Sequence, residues 1–94
     1  MKQFFKVVIQ MDPQSVTRQD GSLTKKSTIV LQEFGGRYEN SYVCTMLGNM
    51  ASCKFYPNDL VFASLRFQHR EYNQQYYMDC TVQDITKVAT SNTF

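Results

Sequence analysis

The sequence predicts an all-β protein built as one small barrel of five strands, closed or partly open. Two observations support this prediction: apolar residues recur at every second position in most segments, and Gly, Pro, Asn and Asp residues separate those segments. The chain has 94 residues, of which 43% are hydrophobic and 14% aromatic, so it can fill one core but not two. Closing the sheet would also hide the edges that five aromatic-rich strands would otherwise expose.

The first two strands flank a long polar segment. Residues 4–11 carry apolar side chains at every second position, which predicts the first strand. Residues 12–24 are polar and contain an Asp-Gly turn signal, so they are predicted to form a loop of about a dozen residues. The second strand is predicted over about 26–34, where β-branched residues cluster before a glycine pair.

The remaining strands are predicted over 42–47, from about 60 onward, and after a hairpin tip at Tyr72-Asn73-Gln74. Asn49 is expected to cap one short helical turn between the third and fourth strands. The apolar phase of the fifth strand shifts after Gln83, which indicates a bulge or a bend. Five strands in this order, with a helical turn in that place, favour the OB-fold, although an SH3-like barrel has a similar strand count.

No repeat or linker divides the chain, so residues 1–89 are predicted to form a single OB-fold domain, with 90–94 as a frayed tail. No apolar run approaches the ~18 residues of a membrane span, so no membrane contact is expected. Lys6 and Gln10 interrupt the amino-terminal apolar stretch before a signal-peptide core could form. We therefore expect a cytoplasmic protein.

The chemically active residues are too few for the common catalytic and metal sites. His69 is the only histidine, so a nucleophilic triad lacks its base and a zinc site lacks ligands. Cys44, Cys53 and Cys80 are odd in number and widely spaced, which favours free, buried thiols over a disulfide framework. We expect no enzyme activity, no cofactor and no metal.

Three segments carry cations, and two of them also carry aromatic rings, although the formal net charge is only +2. The first lies near the start of the second strand, the second flanks the glycine pair, and the third is the hairpin tip. Cations attract phosphates, and exposed tyrosines can stack on bases of any identity. The residues predicted to bind nucleic acid are Arg18, Lys25, Lys26, Arg37, Tyr38, Tyr42, Arg70 and Tyr72.

The segments 56–61, 70–73 and 76–77, which read Tyr-Pro-Asn-Asp-Leu-Val, Arg-Glu-Tyr-Asn and Tyr-Tyr, resemble bacterial single-stranded-DNA-binding proteins. The stretches 21–26 and 43–48 are also similar to a small Bacteroidetes family related to those proteins. The similarity covers about residues 6–88 and implies an OB-fold that binds single-stranded DNA without catalysis. The chain departs from the pattern at Asn58, where a glycine is usual, and at Thr24, where a tryptophan is usual; no acidic tail follows.

These features lead to the expectation of a protein that binds single-stranded DNA, with RNA as the alternative strand, and that acts as a homo-oligomer (dimer or tetramer). Phe62, out of phase with the core residues, is a candidate subunit contact. A protein-interaction module without nucleic-acid binding is the alternative, favoured by the low net charge and the absence of tryptophan. Oligosaccharide binding is a third possibility. The tyrosines also have a structural interpretation, because Tyr76 shares the phase of Met78 and Cys80 and would fit a core position.

Overall fold

The structure, a computed structural model, describes residues 1–34 and 39–89. Strands dominate this part of the chain, and none of its helices is long and apolar enough to cross a membrane. In chain order the elements are β1 (Lys2–Gln10), β2 (Gln14–Thr17), β3 (Leu23–Glu33), β4 (Ser41–Leu47), α1 (Asn49–Ser52), β5 (Leu60–Tyr72) and β6 (Gln75–Ala89).

Five of these strands form a closed ring, as the sequence predicts. They follow the order β1-β5-β6-β4-β3, and β3 pairs again with β1. Neighbours in the ring are antiparallel except β4 and β6, which run parallel and are joined through the Thr45–Thr81 pair. The ring is therefore closed along one short seam.

The prediction of a loop over residues 12–24 is wrong, because β2 pairs with the first residues of β3. The hairpin runs from the Gln14–Lys26 pair to the Thr17–Leu23 pair, so β3 also begins earlier than predicted. At its turn the Asp20 carboxylate accepts hydrogen bonds from the Ser22 N–H (2.9 Å) and hydroxyl (2.6 Å). β2 lies at a sheet edge with water around it, so its polar side chains show no apolar alternation that would reveal a strand.

The helical turn lies where it was predicted, but its cap differs. α1 begins at Asn49, and the cap position belongs to Gly48, with no side-chain cap hydrogen bond. Gly48 adopts φ of +65°, and its carbonyl accepts the Ala51 N–H at 3.1 Å. A glycine tolerates this left-handed backbone. The Gly48 carbonyl, and not an asparagine side chain, therefore makes the hydrogen bond that starts the turn.

The β5–β6 hairpin turns where the tip was predicted, but over two residues instead of three, because Tyr72 is still paired with Gln75; of the predicted bulge or bend, the structure has the bulge. Asn73 and Gln74 have φ of 50° and 62°, the two left-handed residues of a type I′ turn. Further down, Leu65 pairs with Val82 whereas Ser64 pairs with Asp84, so Gln83 is the extra residue of a bulge. Because of this extra residue, Ile85 points to the same side as Val82, and both pack in or against the core.

The core lies inside the ring, and the β5–β6 hairpin extends beyond it. Residues 66–79, here named the arm, are all exposed. Tyr76 is 71% exposed, so a core position for it is wrong. The expectation of buried thiols is confirmed for Cys44 and wrong for Cys53, which follows α1 at the surface. The buried apolar residues are Phe5, Val7, Ile29, Leu31, Cys44, Met46, Ala51, Phe55, Val61, Ala63, Leu65 and Val82.

The turn before β5 is fixed by a buried carboxylate. Asp59 is 1% exposed, and its Oδ2 accepts the Tyr56 N–H at 2.8 Å and pairs with Lys87 Nζ at 3.1 Å. The Asp59 carbonyl also accepts the Val7 N–H at 2.9 Å, which ties the turn to β1. Asn58 has φ of 72°, a conformation that asparagine tolerates better than most residues.

Candidate nucleic-acid interface

One row of paired residues crosses four strands on the outside of the ring. Arg66 of β5 pairs with Thr81 of β6, Thr81 with Thr45 of β4, and Thr45 with Thr28 of β3. Residues directly paired across a sheet point to the same side. Their neighbours along each strand, including Ile29, Cys44 and Leu65, point into the core. The surface that carries this row, here named the outer surface, is therefore continuous from the arm to β3.

The arm carries two different faces because side chains alternate along a strand. The first continues the outer surface and holds Arg66, Arg70, Tyr72, Tyr77 and Asp79, as their pairing in β5 and β6 shows. Tyr72, in the last pair before the turn, is 65% exposed. This face, here named the cationic face, combines guanidinium groups with rings open to solvent, a combination suited to phosphates and bases.

Arg70 is held in place by two neighbours on the cationic face. Its Nε lies 3.0 Å from Asp79 Oδ2, and its guanidinium lies 5.2 Å from the centre of the Tyr77 ring. The Tyr77 hydroxyl in turn donates to Gln75 Oε1 at 2.6 Å. Both members of the ion pair are about half exposed, with side-chain exposures of 62% and 48%. Water screens such a pair, so it contributes little to stability, but it keeps the guanidinium paired with Asp79 in the unmodified protein.

The opposite face of the arm is more apolar and carries no lysine or arginine. Phe67 pairs with Cys80 and His69 with Met78, which places them on the side that continues the ring's interior. The rings of His69 and Tyr76 lie 6.3 Å apart, and Met78 is 69% exposed. This face offers stacking surface without a cation to attract a phosphate.

At the far end of β3 the structure separates two adjacent lysines. Lys26 lies on the outer surface, two residues from Thr28, whereas Lys25 lies on the side of the buried Ser27. Lys25 borders a depression of about 360 Å³ with Ser15 and Asn49, on the α1 side of the sheet. Because strand neighbours alternate, the two ammonium groups cannot track the same polynucleotide on one surface.

Arg18 joins the outer surface through the β2–β3 turn. Its Nη2 donates to the Thr24 hydroxyl at 3.1 Å, and Thr24 shares the outer side of β3 with Lys26. The cations at residues 18 and 26 thus lie together at one end of the outer surface, and those at 66 and 70 lie at the other. β4 lies between their strands in the sheet.

Tyr42 is directed inward from β4. Its ring makes edge contacts with Phe5 (6.0 Å between centres) and Phe67 (5.7 Å), and its hydroxyl donates to Glu33 Oε2 at 3.3 Å. Burial, reinforced by the Glu33 charge, raises the pKa of this tyrosine. The Tyr42 side chain therefore packs against core residues at one end of the strand ring and does not lie on the outer surface.

The other predicted residues of this region, Arg37 and Tyr38, lie outside the described residues. The structure adds Arg66, Tyr77 and the threonine row, none of which was predicted from sequence. Arg66 and Tyr77 could both have been found from the sequence, because an even spacing along a strand places side chains on one face. Arg66 is four residues from Arg70, and Tyr77 is two residues from Asp79. The described residues contain no group of three or more His, Cys, Asp or Glu side chains able to hold a metal ion.

Three solved structures share this architecture. The second OB-fold domain of replication protein A from Methanococcus maripaludis superposes with a TM-score of 0.70 at 18% identity, over 90% of this chain and 79% of that one. Rim1, a mitochondrial single-stranded DNA binding protein of S. cerevisiae, gives 0.62 at 14% identity over 96% and 95% of the two chains. The SSB domain of a Synechococcus protein gives 0.61 at 23% identity, over 90% of each.

No protein-family model matches the chain, and no curated protein matches it in sequence. The structural matches establish the fold: this chain has an OB-fold and resembles single-stranded-DNA-binding domains in its architecture. At these identities the likeness extends to the fold and no further. The case for a function depends on the chain's own outer surface.

Proposed function

We propose that this protein binds single-stranded DNA on the outer surface of its OB-fold, without catalysis, in the cytoplasm. The observation that carries the proposal is the row Arg66–Thr81–Thr45–Thr28, which joins the cationic face of the arm to Lys26 across one continuous side of the sheet. Hydroxyl groups along this path can donate to phosphate oxygens, and the cations stand at its two ends.

The two ends of the outer surface contribute different interactions. The cationic face of the arm holds Arg66 and Arg70, of which Arg70 is paired with Asp79. At the other end, Arg18 and Lys26 form no ion pair among the described residues, and Lys25 lies on the other side of β3. The arm therefore supplies stacking through Tyr72 and Tyr77 together with one unpaired cation, and the β2–β3 end supplies two unpaired cations for phosphates.

A titration of labelled oligo-dT by fluorescence anisotropy at several salt concentrations tests the proposal. Arg18, Lys26 and Arg66 form no ion pair within residues 1–34 and 39–89, so about three phosphate contacts are expected. At about −0.7 per contact with single strands, log Kobs should fall with log salt at a slope near −2. Lys26→Ala should make this slope shallower by about 0.7 and weaken binding a few-fold.

Lys25→Ala is the matched control, because it removes the same charge from the neighbouring position on the opposite side of the strand. It should leave the slope within the error of the unmodified protein. Equal effects of the two substitutions would contradict an outer-surface path. Absence of binding at tens of micromolar protein in low salt would eliminate nucleic-acid binding altogether. RNA oligomers of the same length would show which sugar is preferred.

Asp79→Asn is expected to strengthen DNA binding. The substitution frees the Arg70 guanidinium from its partner at 3.0 Å and leaves it over the Tyr77 ring, ready to contact a phosphate. We expect tighter binding by a few-fold and a salt slope steeper by about 0.7. The unfolding free energy should change by less than about 1 kcal/mol, because the ion pair is exposed. Unchanged or weaker binding would exclude Arg70 as a phosphate contact.

A protein-interaction module is the second candidate, favoured by an apolar patch elsewhere on the outer side. Ile9 pairs with Val30 and Val30 with Val43, and of these Ile9 is 48% and Val43 68% exposed.

Homo-oligomerisation also stays a prediction. Phe62 packs edge-on against Phe4 at 4.8 Å between ring centres, and Phe4 is 49% exposed, so this pair is the candidate subunit contact.

A further inference from the structure

Two of the three cysteines lie side by side across the seam that closes the ring. Cys44 precedes Thr45 on β4, and Cys80 precedes Thr81 on β6, and these threonines are the pair that joins the two strands. The two sulfur atoms are 3.2 Å apart, and both strands run in the same direction. Neighbouring strands lie about 4.8 Å apart, within the Cα separation that a disulfide spans.

The seam is the place where a covalent link would add most to the ring. β3 and β4 pair continuously from Lys26–Leu47 to Gln32–Ser41, and β5 and β6 pair along nearly their whole length. β4 and β6 are joined only through Thr45–Thr81 among the described residues. A bond between the two cysteines would hold together the strands that have the fewest backbone bonds between them.

The two thiols differ in their access to solvent. Cys44 is 1% exposed, whereas Cys80 is partly exposed where the arm leaves the ring, and pairs with Phe67. A small reagent therefore reaches Cys80 first, with Cys44 directly behind it. This order suits a two-step exchange, in which one thiol is captured and the second displaces the reagent.

We propose that Cys44 and Cys80 form a reversible intramolecular disulfide by exchange with a small-molecule disulfide such as oxidised glutathione. The Cys80 thiolate attacks one sulfur of the reagent, forms a mixed disulfide and releases one glutathione thiolate. The Cys44 thiolate then attacks the Cys80 sulfur and releases the second. The two cysteine protons end on the two glutathione molecules, so the protein dithiol is oxidised and the reagent is reduced to two thiols.

Burial affects the rate of this exchange. It raises the pKa of both thiols, that of Cys44 most strongly. Only thiolates attack disulfides, so the reaction is slow near neutral pH and requires a prolonged incubation. The exposed Cys53 reacts independently and would form mixed disulfides or cross-links between molecules.

The test incubates the full chain and its Cys53→Ser variant with oxidised glutathione at mildly alkaline pH, then alkylates free thiols under denaturing conditions. In Cys53→Ser both remaining thiols should become protected, with an intact mass lower by about 2 Da and no bound glutathione. Non-reducing peptide mapping should link residues 44 and 80. The melting temperature should rise by roughly 10 °C or more and return after reduction.

The double variant Cys53→Ser/Cys80→Ser is the matched control, because it keeps Cys44 as the one thiol and replaces a partly exposed side chain at the margin of the core. In this variant Cys44 should stay alkylatable, and the melting temperature should not respond to the oxidant. The inference is overturned if both thiols of Cys53→Ser remain free after prolonged incubation, or if a mixed disulfide with glutathione persists on Cys80. It is also overturned if the linked form melts no higher than the reduced form.

Discussion

Replacing Tyr72 and Tyr77 together by alanine is expected to weaken the binding of oligo-dT by roughly 30-fold or more, because each base stacked on an aromatic ring contributes about 1–3 kcal/mol. Both rings lie on the cationic face of the arm, and both are solvent-exposed, at 65% and 41%. Neither lies in the core, so the unfolding transition should change little. Anisotropy titrations at one fixed salt concentration measure the loss.

Tyr76→Ala provides the control for the face. This tyrosine belongs to the same arm and is 71% exposed, but its side chain leaves the opposite side. If DNA follows the outer surface, Tyr76→Ala should change affinity less than about twofold, well under the ~1 kcal/mol of one stacked base. A loss in Tyr76→Ala equal to that of the double variant would place the polynucleotide on the apolar face instead. Thermal unfolding of each variant, compared with that of the unmodified protein, shows whether a loss of affinity comes from a loss of folded protein.

Asp59→Ala is expected to destabilise the protein by about 2–4 kcal/mol, a large share of the ~5–15 kcal/mol that holds a typical domain together. The substitution removes the acceptor of the Tyr56 N–H and the partner of Lys87, which lie 2.8 and 3.1 Å from Oδ2. It also leaves a small void, because the side chain is 2% exposed. Chemical denaturation followed by circular dichroism measures the difference.

Two further variants separate the contributions at this turn. Asp59→Asn keeps an oxygen that can accept the Tyr56 N–H but removes the charge, so we expect it to lose no more than about half as much stability as alanine. Asp84→Ala, at an exposed position of β6, should change stability by less than about 0.5 kcal/mol. A loss in Asp59→Asn as large as in Asp59→Ala would mean that the Lys87 pair outweighs the hydrogen bond.

The sequence predicts the ring well because each ring strand buries one face, and burial imposes an apolar alternation that can be read directly. The bulge at Gln83 was predictable for the same reason, since the phase of the buried residues changes there. β2 escaped prediction because neither of its faces is buried. Its pairing depends on backbone hydrogen bonds to β3, which leave no trace in residue type.

The candidate site was only partly predictable. The alternation of β3 and β4 was sufficient to place Lys25 and Tyr42 on the core side, because Ser27 and Cys44 fix the phase of each strand. Along the arm the alternation groups Arg66 with Arg70 and Tyr77 with Asp79, but burial does not distinguish the two faces, since both are exposed and apolar residues occur on each. The Arg70–Asp79 pair requires the register of β5 against β6, which a tip of two rather than three or four residues determines.

The hairpin tip has a dynamic consequence. Its two left-handed residues, Asn73 and Gln74, are not glycines, so the turn holds a conformation that costs its side chains about 1 kcal/mol or more, glutamine more than asparagine. The rungs beside it have water on both faces. Fraying should therefore begin at the Tyr72–Gln75 pair and stop where the arm joins the ring of strands. The Tyr72 side chain thus belongs to the least stable pair of the arm, and its aromatic ring can tilt to stack on a base without disturbing the core.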